Sequence, residues 1–567
     1  MTITRFVPVF SILAVGALTL SGCDNTNGPD ELAAKTAPPS STDHFPGERL
    51  SEQRYREHVR TLASDEFEGR APSSPGEEKT VAYIAKVFES LGLAPGNGDS
   101  YFQDVPLVTM TATSKPIQIR QDGEVIQTME IGPDAVTWTK RVTDSVSLSN
   151  SELVFVGYGI VAPEYGWNDY AGVDMNGKTA VIMVNDPGFA TQDPELFRGN
   201  AMTYYGRWTY KYEEAARQGA AGAIILHETW PASYPWAVVQ GSWTGPQHDL
   251  VTADKNAGRV KIESWISVEQ ARQLFSNAGL DYAAEKTAAA TRGFVPKAMG
   301  LTASTSLTND ISVADSKNVL AVLPGTDQAD EYFVFSGHWD HLGKDPSLEG
   351  DQIYNGAVDN ATGTAGLLAL AEAFTNAPTK PSRSILFLAV TAEESGLLGS
   401  KHYGENPVFP LARTIGGVNM DALSVQGRSK DVAVVGYGAS ELEDILREMA
   451  EVQERVIVPE PSPERGGFYR SDHFNLAKVG VPMLYAKSGN DLREGGRAAG
   501  SALVSDYIAK RYHKPSDEYS EDWDLTGTME DLALFYAVAD KVANMPGMIE
   551  WYDGTEFKAI REKSLAN

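Results

Sequence analysis

At 567 residues, 42% hydrophobic and 22% charged, the chain has the composition of a globular protein long enough for a large core and more than one domain. Its formal net charge of −28, with no Lys/Arg-rich run, argues against a nucleic-acid partner, because phosphate binding needs concentrated cations. Cys23 is the only cysteine, so the folded body has no disulfide, and any metal site must be built from His, Asp and Glu.

In chain order, Arg5 and the apolar run "FVPVFSILAVGALTL" read as a targeting segment too short to span a bilayer comfortably. It ends in "LSGC", residues 20–23, which resembles the lipobox of bacterial lipoproteins. The expectation is a signal peptide over 1–22, an acylated Cys23 holding the protein on the periplasmic side of a membrane, and a polar tether over 23–48. Residues 51–70 and 74–93 read as two helices; the second has apolar positions at Val81, Ile84, Ala85, Phe88 and Leu91 and a "SLGLAPG" stop. Strands and turns follow to about 145.

From 146 to 295 the texture changes. "ELVFVGYGI", "GKTAVIMVND" and "AAGAIILHE" read as strands, with one clear helix, "TYKYEEAARQGA", between the last two. Aromatic residues are dense, and the segment reads as a domain inserted between two parts, 49–145 and 296–567, of one main domain. From about 317 strands alternate with helices: "NVLAVLPG", "EYFVFSG", "RSILFLAV", "TIGGVNMDA" and "VPMLYA" against "ATGTAGLLALAEAFTNA", "SELEDILREMAEVQ" and "TMEDLALFYAVADKVANM". That alternation predicts an α/β fold with a mixed, largely parallel sheet covered on both faces.

In an open α/β sheet, working residues collect at the carboxyl ends of the strands. Three predicted strands end there in metal-binding residue types: "GHWDH" after the 331–336 run, "TAEESG" after 385–390, and "MDAL" after 414–419. A fourth element, "NGAVDNATG", places Asp359 just before a helix. Two divalent ions need a carboxylate between them and further donors on each side. Asp359 can bridge, with His338 and Asp421 for one ion and Glu394 and His513 for the other.

The stretches "GHWDHLG", "NGAVDNATG", "TAEESGLLGS", "NMDAL" and "YHKPSDEY" resemble, in order, the motifs of the MH-clan zinc peptidases, metallopeptidase family 28. That family includes bacterial leucyl-type aminopeptidases and glutamate carboxypeptidases. The spacings of 21, 35 and 27 residues between His338, Asp359, Glu394 and Asp421 fit it. The resemblance implies a zinc exopeptidase fold, two Zn2+ per chain and peptide substrates, most simply as an aminopeptidase. It implies that His338 binds metal while Asp340 orients it, that Glu394 binds metal while Glu393 is the general base, and that the Asp359–Asn360 peptide is cis.

Tyr512 stands where carboxypeptidase relatives place an oxyanion donor; otherwise it packs. "YRSDHF" also matches a family signature, and Asp472 and His473 read as supporting or pocket residues, His341 as structural or pocket-lining. His44, His58, His227, His248 and His402 show no ligand context. The 146–295 segment resembles the protease-associated domain of these enzymes, and 202–210 either roofs the site or packs within that domain. The rivals are a carboxypeptidase or dipeptidase gripping a carboxylate through Arg465, Arg470 or Arg207, a glutaminyl cyclase, and a non-catalytic binding module of transferrin-receptor type.

Overall fold

Four strands make the centre of the α/β sheet in the computed structural model, which describes residues 44–566. They lie in the order Arg383–Val390, Gln328–His338, Thr414–Asn419, Met483–Ser488, and every neighbouring pair is parallel. The 383–390 run is buried at each position, as a strand covered on both faces must be. Antiparallel strands close the two sides, Lys297–Leu323 against 383–390 and Asp431–Val434 against 483–488. The sheet is therefore mixed and largely parallel at its core. The signal segment, Cys23 and the tether up to residue 43 fall outside the described residues.

Helix Thr362–Thr375 packs on the central strands with all but Glu372 and Thr375 buried, which explains its apolar composition all round. Gly366 lets it approach Thr526–Asn544, since a Cβ there would sit 2.9 Å from Leu532. Two helices at the start of the domain join the same core. Ser51 caps Glu52–Leu62 by accepting from Arg54 N, and Ser74 caps Pro75–Ser90, with proline in the first turn. The first is shorter than its pattern predicts. It stops at Leu62, and Glu68 and Gly69 take left-handed backbone angles, so Arg70 is carried inward rather than along a helix.

The 146–295 segment holds three parallel strands, Thr179–Met183, Gly222–Leu226 and Ile262–Ile266, with Ser145–Phe155 beside the first. The helix between the strands is Trp208–Arg217, and others, Val268–Asn277 and Tyr282–Ala289 the longest of them, stand where no helix was expected. Ala135–Trp138 pairs with 262–266, so a boundary at 145/146 falls inside one hydrogen-bonded unit. A boundary at 295/296 falls just before a strand of 27 residues, Lys297–Leu323. That strand pairs with Ser145–Phe155 at its start and with 383–390 at its end. All described residues belong to one compact unit.

Candidate metal centre and cleft

The parallel strands deliver the expected residues to one edge. His338 is the last residue of its strand, Glu393 and Glu394 follow 383–390, and Asp421 follows 414–419. Asp359 lies in a distorted turn leading into the 362–375 helix, and the Asp359–Asn360 peptide is cis.

Asp359 is shared between two groups. Its Oδ1 lies 3.4 Å from His338 Nε2, and its Oδ2 lies 3.3 Å from His513 Nε2. Asp421 Oδ1 is 3.6 Å from His338 Nε2, and Glu394 Oε2 is 3.1 Å from His513 Nε2. A tetrahedral ion with bonds of about 2.0–2.1 Å needs its ligand atoms roughly 3.3 Å apart, which these separations match. Both Nε2 atoms are buried and lack a hydrogen-bond partner. His338 Nδ1 lies 3.2 Å from the Asp340 carbonyl, which makes Nδ1 the protonated nitrogen and leaves the Nε2 lone pair toward the carboxylates. Lone pairs facing lone pairs repel unless a positive charge sits among them. Burial opposes a charged imidazole, yet the surrounding carboxylates push His513 up to about 10 and hold His338 well above its ordinary value. The donor set thus fits two divalent cations, one per histidine.

Asp340 does more than the sequence implied. Its carboxylate lies 3.7 Å from His338 Nδ1, while Oδ1 accepts from Glu393 N at 3.1 Å and Oδ2 from Glu394 N at 3.4 Å. It fixes the glutamate loop as well as facing the histidine. Glu393 belongs to neither donor cluster. Its Oε2 is 4.0 Å from His338 Nε2. Burial, with the charges of Glu394, Asp421 and Asp472, holds its carboxyl well above the usual range against the opposing pull of His338.

Three supports were not legible in the sequence. Asn360 Nδ2 donates to His338 O (3.2 Å) and Met420 O (3.1 Å), while its Oδ1 accepts from Ala422 N at 3.1 Å, tying two strand ends to the turn. Buried Arg70 donates to the carbonyls of Leu62, Trp339, Asn355 and Gly356. Asp517 accepts from the backbone N–H groups of Val358 and Asp359. The signals were an Asn beside Asp359 and an Asp four residues after His513; Arg70 left none.

His341 is buried, with Nδ1 2.7 Å from Glu394 Oε1, and it joins Asp359 and Glu394 in one group of convergent donors. Asp472 and His473 are also buried but stand outside both groups. Ser400 Oγ donates to Asp472 at 2.6 Å, and His473 packs against Phe468 and Tyr485. Tyr512 is half-exposed, its ring stacked 3.9 Å from His513.

A cleft of about 730 Å3 opens over Glu393, Glu394, His341 and Tyr512. Its other wall comes from the 146–295 segment, through Tyr204, Arg207, Trp208 and Trp243. Arg470 lines it too; Arg465 is exposed and does not. Most cleft cations are paired: Lys140 and Lys401 with Asp249, Lys478 with Glu213, Arg259 with Glu263. Arg207 Nε is buried without a hydrogen-bond partner, and among the described residues neither Arg207 nor Arg470 forms an ion pair.

Residues 318–537 match the model of Peptidase family M28. A "Probable zinc metalloprotease" of Pyrenophora teres f. teres is 35% identical over 113 residues, 20% of this chain and 23% of that protein. "Aminopeptidase NAALADL1" of Rattus norvegicus is 32% identical over 121 residues, 20% of this chain and 15% of that one. The chain thus spans less than a quarter of the length of these curated relatives. Among solved structures, the aminopeptidase from Aneurinibacillus sp. strain AM-1 aligns over 89% of this chain and 96% of its own, at 20% identity and a TM-score of 0.46.

Proposed function

We propose that this chain, whose residues 318–537 are a Peptidase family M28 segment, is a zinc metallopeptidase that removes N-terminal residues from peptides. The observation that carries the reading is Asp359, whose two oxygens each face the unpartnered nitrogen of a different histidine. His338, Asp359 and Asp421 would hold one zinc, and Asp359, Glu394 and His513 the other. When bound, the ions supply Lewis acidity and acidify water.

Glu393 does the proton work. It lines the cleft, takes a proton from the attacking water and returns it to the leaving amine. Asp340 keeps the Glu393 and Glu394 amides in register, so base and ligand stay on one rigid loop. Tyr512, which lines the cleft, would donate to the developing oxyanion. The 146–295 segment acts as a protease-associated domain whose 202–210 stretch walls the cleft. Acylation of Cys23 would anchor the enzyme outside the cytoplasm, and Cys23→Ser should then move it from membrane to soluble fractions.

A carboxypeptidase or dipeptidase reading stands second, favoured by the unpaired guanidiniums of Arg207 and Arg470 in the cleft. The test is cleavage of free, N-acetylated and C-amidated peptides by the zinc-loaded protein. The aminopeptidase reading expects amidated peptides to be cut and acetylated ones to resist. The opposite pattern reverses the two, and no cleavage of any of them rejects both.

A further inference from the structure

His341 is not one of the five proposed zinc ligands, yet it is tightly held. It is 1% exposed. Its backbone N donates to Arg70 O at 3.2 Å. Its ring lies against Gly356, where a Cβ would come within 2.5 Å, and Gly356 has a φ of +54°, so nothing larger fits there. The ring also meets His513 edge-on, with centroids 5.8 Å apart.

The held ring directs one nitrogen. Nδ1 lies 2.7 Å from Glu394 Oε1, and a carboxylate only accepts, so Nδ1 carries the proton and donates. Glu394 is left with divided oxygens: Oε1 is occupied by His341, and Oε2 is turned to His513 Nε2 at 3.1 Å. Without the His341 bond, rotation about the terminal torsion of Glu394 would be broad and roughly two-fold, as for any glutamate. We infer that His341 is a positioning residue: it fixes which oxygen Glu394 presents to the ion on the His513 side, and thereby sets how tightly that ion is held.

The inference rests on the two-ion reading above. Groups that orient metal-binding side chains typically contribute about 10–100-fold in metal affinity. The experiment is chelator-competition titration of zinc into metal-free protein without peptide, for wild type, H341F, H341L, H341N and E394A. E394A identifies the ion on the His513 side. H341F keeps a ring and loses the donor, and H341L does so with less volume. In whichever of these two melts cooperatively when metal-free, that ion should bind about 10–100-fold more weakly, with the other unchanged. H341N, whose amide can still donate, should recover most of the loss.

Wild-type affinity for both ions in the donor-less variants would overturn the inference while leaving the two-ion reading intact. Loss of the ion in H341N as completely as in E394A would also overturn it, by making His341 a ligand itself. Uptake of fewer than two ions by wild type would reject the two-ion reading, and the inference with it.

Discussion

The two histidines that face Asp359 stand in unlike ground. His338 ends a central strand, is 1% exposed, and has its carbonyl held by Asn360 and Thr364. The His513 side chain is 36% exposed and sits in a loop at a φ of +56°. The helix before it, Gly496–Lys510, buries only Gly500. One half of the centre is built into the sheet and the other is brought to it by a peripheral segment. Local stability follows buried contact, so the His513 half should open first and hold its ion less firmly.

Asp359→Ala has the largest expected effect because it removes the residue the halves share. Both zinc ions should be lost and peptidase activity should fall to background, measured by elemental analysis and peptide hydrolysis. Retention of one ion at the His338 half would show that the halves are independent. Glu393→Gln comes next. It removes basicity and no proposed ligand, so both ions should stay while kcat falls by about 10²–10⁴. Near-normal kcat would remove Glu393 from the mechanism.

Graded chelation probes the contrast itself. The ion on the His513 side should leave first, in two resolved steps; simultaneous release would mean that the peripheral segment is held as firmly as the sheet. The smallest effect is on the metal-free fold. His338→Ala, at a buried position, should destabilise by about 1–3 kcal/mol, and His513→Ala by less. Equal losses in denaturant titration would erase the distinction.

Strand ends carrying His, Glu and Asp were readable because a central parallel strand advertises itself as an apolar run, and whatever follows it is at the edge. The 383–390 run with Glu393 and Glu394 behind it is the clearest instance. What could not be read was anything that depends on backbone capture. Arg70 sits at the end of a stretch patterned as helix, and only the left-handed turn at Glu68 and Gly69 sends its guanidinium to four carbonyls. His341 was readable as structural or pocket-lining, but not its bond to Glu394, 53 residues away. The 496–510 helix went unseen for a different reason: with almost no buried face it has no apolar periodicity to detect. The 297–323 strand was read only at its carboxyl end, because residues 308–315 in its middle include no buried residue and so break the pattern before the continuous burial of the central sheet.

That long strand has a mechanical consequence. It is a girder common to both walls of the cleft, and Phe102–Ser114 runs beside it in unbroken register from Leu307 to Val319. A hinge between the walls would have to shear that ladder, whereas a tether of loop would bend freely. The slot over Glu393 therefore has a set gauge. On the exopeptidase reading proposed above, discrimination among peptides would fall to what can be threaded into it end-on, by girth and by the charge at the leading tip, rather than to a jaw that closes once the right guest has arrived.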